Sequence, residues 1–345
     1  MNTKFKNNSL LIASIILCGI VFLITLAYLQ KSLKQESHST SMEIVDAYGR
    51  EYKNIIEKGL TEVLESNRTL VSVFEGHHNF DYKTLEPIYD NVLQNFMETY
   101  PEYLSVCLYW ELKALDKNYN KLNGRVRNIS CRIMDELFSV KQIVDTTNDI
   151  IINDYYTTRD LNEETIWEPY YDAVTPGLEG VLMSTVVVPI SVDGVCEGMV
   201  GIDISLEHFA AYTKLIKPFS NTRAYIIANN QMIVGHSNEE LVGEQFLTSL
   251  KVDTLVFKDA LAKTSSNKGS KFTYINADDN EEYFVSFKPI KVGNISKNWT
   301  LGIEVPAKEL NVASNNILRN ALLIGLIGLL IAGLAVIFVA LRLKE

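Results

Sequence analysis

The 345-residue chain has 32 basic against 42 acidic side chains, a net charge of −10, which argues against the basic face that a nucleic-acid-binding protein presents. Four cysteines are too few for a disulfide-built scaffold. The apolar residues are unevenly placed, because residues 10–29 and 321–341 contain no charge at all.

At about 1.5 Å of rise per residue, each of these runs is long enough as a helix to cross a hydrocarbon core of about 30 Å. Buried core helices rarely run that far without a polar face. Lys4 and Lys6 precede the first run as in a signal peptide. The run is longer than a signal core, however, and no small-x-small cleavage site follows it cleanly, so an uncleaved anchor is expected. The second run contains Gly325, Gly328, Ala332, Gly333 and Ala335, and the spacing of Gly328 and Ala332 permits a small-xxx-small helix contact. Two spans place both ends on one side. Lys4, Lys6, Arg342 and Lys344 put that side in the cytoplasm by the positive-inside rule, against the contrary Lys31 and Lys34. Without those four flanking basic residues and Glu345, 28 basic and 41 acidic residues remain, a net of −13 that is compatible with export of residues 31–320.

Along the chain, Met42, Val45, Tyr48, Tyr52, Ile55, Ile56, Val63, Leu70 and Phe74 recur at steps of mostly three and four. That period predicts a long stalk helix over residues 31–75, whose stripe packs on its own domain, on a second copy of the chain, or on both. Gly76 ends it, and Leu85, Ile88, Tyr89, Val92, Leu93 and Phe96 mark a shorter helix. After Pro101 comes a strand at 104–110, and Asn123 with Gly124 is a turn signal for a hairpin returning through Val126. Residues 182–190 and 195–204 read as a strand pair joined at Asp193 and Gly194. Gly198 and Gly201 mark close backbone approaches or a bulge. A helix follows from Leu206 towards Pro218. Strands are expected again at 224–228 and 231–234 around Asn229 and Asn230, then at 271–274, 282–289 and 299–305, with a connection through Phe246 and Leu250. The loop therefore reads as α+β, with lobes at residues 76–210 and 215–307 and a helical run from Ala307 into the second span. Cys18 lies in the first span. For Cys107, Cys131 and Cys196, isolated thiols and a bridge between Cys107 and Cys131 both remain open.

Four blocks then carry a family resemblance: Asp154, Tyr155 and Tyr156; WEPYYDA at 167–173; the strand ending at Val188, Pro189 and Ile190; and GMVGIDISL at 198–206. In order and spacing they resemble the first lobe of a double Cache sensor domain. The segment 225–243 and WTLGIEVP at 299–306 resemble the second lobe of that family. The resemblance implies a long N-terminal stalk helix and two PAS-like lobes with antiparallel sheets, flanked by two transmembrane helices. It also implies a small-molecule site in the membrane-distal lobe, homodimers formed through the stalk and membrane helices, and a bacterial or archaeal cell membrane.

Amino-acid-binding members of the family combine a Tyr-x-Asp with a later aspartate; Tyr170, Asp172 and Asp203 match those positions. Tyr155 and Tyr156 fall where an aromatic pair is common, and on a strand only one of them would face a pocket. The family's arginine two residues earlier is Asn153 here, which leaves Arg159, Arg125 and Arg127 as candidates to hold a ligand carboxylate. Two converging carboxylates repel one another unless a cation lies between them. An ammonium held by charge-assisted hydrogen bonds and tyrosine faces answers that need, so an amine or amino acid is the expected ligand. Trp110 and Trp167 are further candidates, each equally suited to core packing.

No catalytic constellation, cofactor motif or metal site is predicted. His77 and His78 are adjacent rather than four apart, His38, His208 and His236 are scattered, and the acidic run at 278–282 reads as a solvated hairpin tip. Two functions are compatible with these features: a receptor that signals through its second span, or a membrane-tethered binding or scaffold protein. Only Arg342, Leu343, Lys344 and Glu345 follow the second span. The expectation is therefore either a sensory piece of a longer receptor or a chain that signals through a partner.

Overall fold

The computed structural model describes residues 2–75, 82–145, 153–249, 254–277 and 279–342. Helix α1 (Asn2–Glu75) is followed by α2 (Tyr82–Thr99), β1 (Ser105–Glu111), a short α3 (Leu112–Leu115), β2 (Gly124–Ile133), β3 (Glu136–Asp145), α4 (Asn153–Leu161), β4 (Thr165–Ile166), β5 (Tyr170–Tyr171), β6 (Leu182–Val192) and β7 (Val195–Ser205). Then come α5 (Glu207–Leu215), β8 (Arg223–Ile227), β9 (Ile233–His236), α6 (Phe246–Ser249), α7 (Thr254–Ser265), β10 (Ser270–Ile275), β11 (Glu282–Ile290), β12 (Trp299–Pro306) and α8 (Val312–Arg342). Gly76, His77 and His78 lie outside the described residues.

Two compact units result, one of residues 1–47 and 305–345, the other of residues 48–304. The first contains two helices long and apolar enough to cross a membrane, with none of their most apolar windows buried. Within it, the Ser37 and Ser41 hydroxyls each donate to the Leu310 carbonyl at 3.0 Å. A Cβ placed on Gly325 would lie 1.9 Å from the Phe22 ring, so the glycine is what lets the two helices meet there.

The second unit contains two sheets. One has seven strands in the order β3-β2-β1-β7-β6-β4, with β5 also on β6; the other has five, in the order β10-β11-β12-β8-β9. Pairings within the first sheet are antiparallel, as are β10 with β11, β12 with β8 and β8 with β9. Side chains alternate across each strand, which divides the seven-stranded sheet into two distinct faces. Val106, Leu108 and Trp110 belong to the face towards α2, where the Trp110 and Tyr89 rings lie 6.2 Å apart and Asn128 donates to Asp90 at 3.0 Å. Helix α1 buries Ile56, Leu60, Leu64, Val71 and Phe74. It is keyed to the sheet by Asn67, fully buried, whose amide donates to the carbonyls of Val186 at 2.7 Å and Val200 at 3.0 Å.

Two local departures have clear causes. The turn between β2 and β3 is made by Met134 and Asp135 at φ 50° and 66°, a left-handed pair that ordinarily calls for Asn or Gly, so the sequence hides both the turn and β3. Asn123 and Gly124 are not a two-residue hairpin turn either: residues 112–123, with α3, separate β1 from β2. The Asp193 and Gly194 turn forms as the sequence predicts, with φ 48° and 81°. Gly198 is a close approach, since a Cβ there would meet the Tyr109 carbonyl oxygen at 2.4 Å.

Candidate ligand-binding site

The opposite face of the seven-stranded sheet is covered by α4 and the segment that runs from β4 to β6. The register arranges this face in rows. Asp203 on β7 stands between Thr185 on β6 and Ser105 on β1, with Cys131 on β2 next across. One row further along are Val187, Gly201, Cys107 and Ile129. The next contains Met199, Tyr109, Arg127 and, on β3, Gln142. Glu111 and Arg125 form the fourth. Apolar filling comes from Cys107, Tyr109, Ile129, Cys131, Met183, Val187 and Met199, capped by Tyr155, Trp167 and Leu178.

Asp203 is 3% exposed, and all its hydrogen bonds among the described residues come from neutral groups. Thr185 Oγ1 donates to Oδ1 at 2.6 Å, the Ser105 hydroxyl donates to Oδ2, and the Tyr170 hydroxyl approaches Oδ1 at 3.4 Å while bonding Thr185 at 2.8 Å. Burial raises its pKa; the Ser105 and Thr185 hydroxyls and the more remote Arg127 oppose that shift, and Asp172 adds to it. No cation lies within ion-pair distance of Asp203 among the described residues.

Asp172 plays a different part from that expected of the second half of a carboxylate clamp. Its Oδ1 accepts the backbone N–H groups of Val174 and Thr175 at 2.8 and 2.7 Å, and its Oδ2 accepts the Thr175 hydroxyl at 2.9 Å. This is an Asx-type turn that fixes the covering loop, and its three bonds satisfy most of what a carboxylate can accept.

Tyr155 and Tyr156 lie on helix α4, not on a strand, so alternation does not separate them: their rings meet edge to face at 5.3 Å. Tyr155 is 1% exposed and donates to Glu111. The Arg125 guanidinium stands over the Tyr155 ring at 4.2 Å, while its Nη1 donates to the Tyr156 hydroxyl at 3.2 Å. The Arg159 guanidinium also lies over the Tyr156 ring, at 4.7 Å, and reaches Asp160 and Glu111. These groups close one end of the face with their own charges balanced. Trp167 is buried, with its indole N–H donated to Thr158 at 3.0 Å. Trp110 is on the wrong face for this site: an even-numbered position on β1 turns it away from Asp203 and towards α2. Cys107, Cys131 and Cys196 are buried free thiols, and burial pushes the Cys107 thiol up to about 12. No group of metal-binding side chains occurs among the described residues.

In the sequence Arg127 is only one of three candidates. Its position on β2, in register with Tyr109 and Gln142, could have singled it out had β3 been legible.

A profile of the Cache domain in its double form matches residues 28–314. No curated protein sequence matches the chain. Solved structures share the fold. The extracellular domain of mmHK1S-Z3, assigned as a histidine kinase, is 18% identical with a TM-score of 0.62, over 80% of this chain and 97% of that one. The periplasmic sensory domain of the Campylobacter jejuni chemoreceptor Tlp1 is 15% identical with a TM-score of 0.56, over 78% and 96%. The ligand-binding domain of the Pseudomonas fluorescens chemoreceptor CtaA, in complex with L-isoleucine, is 15% identical with a TM-score of 0.52, over 81% and 97%. Since the profile match takes in most of the sequence, both sheets included, the chain belongs to the double Cache domain family, whose domains bind ligands rather than transform them.

Proposed function

We propose that this protein is a membrane receptor that senses a small amine or amino acid outside the cytoplasm, through the face of the seven-stranded sheet around Asp203. One observation carries the proposal: Asp203 is buried and ringed by neutral hydroxyls, with no cation at ion-pair distance among the described residues. A carboxylate desolvated in this way is stabilised in its charged form by an ammonium, which supplies the missing positive charge and up to three donors. Tyr170, Tyr109 and Trp167 provide the aromatic surround. Asp172 shapes the covering loop. Tyr155, Tyr156 and Arg159 bound the site at its far end. The amino-acid ligand of CtaA, which shares the fold, supports this ligand class.

In this proposal the apolar segments of α1 and α8 span the bilayer, with residues 31–320 outside and both termini in the cytoplasm. Ile44 and Ile55, exposed on α1, belong to the helix surface offered to a second copy of the chain. Signalling requires that the ligand bind two conformations with different affinity, so that its arrival shifts their populations and moves α8.

The test is a thermal-shift screen of the full chain in detergent against amines, amino acids and simple carboxylates, with Asp203→Asn as control. Amines or amino acids should raise the melting temperature of the native protein and not that of the variant. Stabilisation by carboxylates alone, or equal stabilisation of the variant, rules the proposal out.

A further inference from the structure

A cavity of about 300 Å³ lies where α1, α5 and the end of β7 come together. It is separate from the face around Asp203, because β7 lines it with Ile204, which strand alternation turns away from Asp203. Its floor is apolar: Ile56, Leu60 and Val63 of α1 and Phe209 of α5 are each at most 6% exposed. The rim is polar. Glu62 of α1 and Glu102, just before β1, border it with Tyr103, while His208 and Tyr212 of α5 bond to each other at 3.2 Å.

Gly59 opens this space. A Cβ at that position would meet no atom within 4 Å, so nothing in the packing of the described residues calls for glycine there. Glycine nonetheless weakens a helix interior relative to alanine. A position that forgoes a side chain without a neighbour to avoid leaves room for something the chain itself does not supply.

The carboxylates indicate what kind of molecule that is. Others on the same helix are neutralised within the chain: Glu57 is held by Lys53 at 2.9 Å and by the Lys291 N–H at 2.7 Å, and Glu65 by Arg68 at 2.6 Å. Among the described residues, Glu62 has only Lys58, at 3.7 Å with its side chain 79% exposed, and the Glu102 carboxylate has no ion pair or hydrogen bond. Both charges act on Tyr103: burial, with Glu102 and Glu62 adding to it, pushes its hydroxyl up to about 12. That ring is held by stacking on Phe96 and Tyr100, at 5.9 and 5.7 Å. Two weakly matched carboxylates thus converge on one fixed ring at the mouth of an apolar cavity.

We propose that this cavity is a further ligand site, which takes a small organic cation, its apolar body on the floor of Ile56, Leu60 and Phe209 and its ammonium between Glu62 and Glu102. An ammonium there gains two opposite charges and the faces of neighbouring tyrosines. An organic acid meets the same carboxylates as repulsion, and a neutral molecule gains only the floor. At about 300 Å³ the space is at the small end of ligand pockets and too narrow for a partner's helix. The site does not depend on the ligand proposed for Asp203.

Titration calorimetry on the full chain in detergent tests this, with Asp203→Asn as the background so that the face around Asp203 is silenced. The probes share one apolar body: phenethylammonium, neutral 2-phenylethanol and anionic 3-phenylpropionate. Phenethylammonium should bind one-to-one, at least about tenfold more tightly than 2-phenylethanol, with no binding of 3-phenylpropionate. Glu62→Gln combined with Glu102→Gln on that background should erase the preference. Gly59→Leu should abolish binding of both probes and leave the ligand-free melting temperature unchanged or higher, because leucine is the better helix former and enters open space. A merely structural role would lose binding only together with stability. The glutamine pair decides the matter should Gly59→Leu not fold. Phenethylammonium bound no better than 2-phenylethanol, or bound equally by Gly59→Leu, overturns the proposal. So does a background chain that binds no probe while Gly59→Leu changes the oligomeric mass by light scattering, which gives the space to a second copy.

Discussion

Each of the two sheets buries one carboxylate on its last strand in chain order, and the two are satisfied in opposite ways. In the five-stranded sheet, Glu304 on β12 stands directly opposite Arg223 on β8, and the guanidinium reaches it at 3.0 Å. The hydroxyls of Tyr274 and Tyr225 complete its surroundings at 2.8 and 3.4 Å. In the seven-stranded sheet, register gives Asp203 two hydroxyl neighbours, Thr185 and Ser105, and no cation. Cross-strand pairing is the unit of sheet stabilisation. Here it closes one network within the protein and leaves the other, among the described residues, with no ion pair at either Asp203 or Arg127. The aromatic core around Tyr225, Phe246, Phe257 and Phe287 belongs with the closed case. A buried charge thus marks a ligand site only when its own cross-strand partners fail to neutralise it.

Four measurements would break or sharpen this contrast. The largest effect is expected at the open site: Asp203→Asn should lower amine or amino-acid affinity at least about 100-fold, some 2.7 kcal/mol, by calorimetry. Glu304→Gln should leave that affinity within about threefold. Next in size, Arg223→Met strands Glu304 and should cost about 2 kcal/mol in chemical unfolding. This is below the usual loss for a broken buried pair because the Arg223 side chain is 42% exposed. Arg127→Met, which removes a buried charge with no ionic partner among the described residues, should be neutral or stabilising by up to about 1 kcal/mol in the same experiment. Equal destabilisation by these two arginine variants would erase the distinction between the sheets. Smaller again, Thr185→Val removes a donor to Asp203 and should cost about 1 kcal/mol of stability.

The subtlest effect is on pH dependence. Burial raises the pKa of both Asp203 and Glu304 above their ordinary values of 3.8 and 4.5, the hydroxyl hydrogen bonds opposing it in part. In the window between the ordinary and the raised value, the native state retains protons that the unfolded chain has released. These two groups therefore make stability fall as pH rises through that window. Asp203→Asn should flatten the fall and raise the ligand-free melting temperature above it, whereas saturating amine should remove the Asp203 share in the native protein alone.

Much of this was legible in the sequence because it rests on period and turn chemistry. The charge-free runs, the apolar stripe of the first helix and the Asp193 and Gly194 hairpin are local signals. Local patterns carry no register, and register decides what Asp203 and Arg127 face. Met134 and Asp135 conceal β3, and without β3 there is no Gln142 beside Arg127. Trp110 looked like a site residue until the alternation of β1 was anchored by Ser105 opposite Asp203. Asp172 was identifiable by position, but a turn-holding aspartate and a ligand-holding one share the same letter in the sequence. Helix α7 lies where the sequence suggests only a connection, because TLVFKDALAKTS lacks a strong apolar stripe.

The turn that Asp172 holds has a consequence for the economy of binding. Its three hydrogen bonds come from the loop itself, and Gln142 fastens the same loop to the sheet. The roof of the site is therefore built without the guest. Loops that must order around a ligand give back part of the contact energy as lost conformational freedom, whereas a preorganised one keeps it. A receptor with a roof of this kind can devote its binding energy to shifting its own conformational balance, which is what a signal requires.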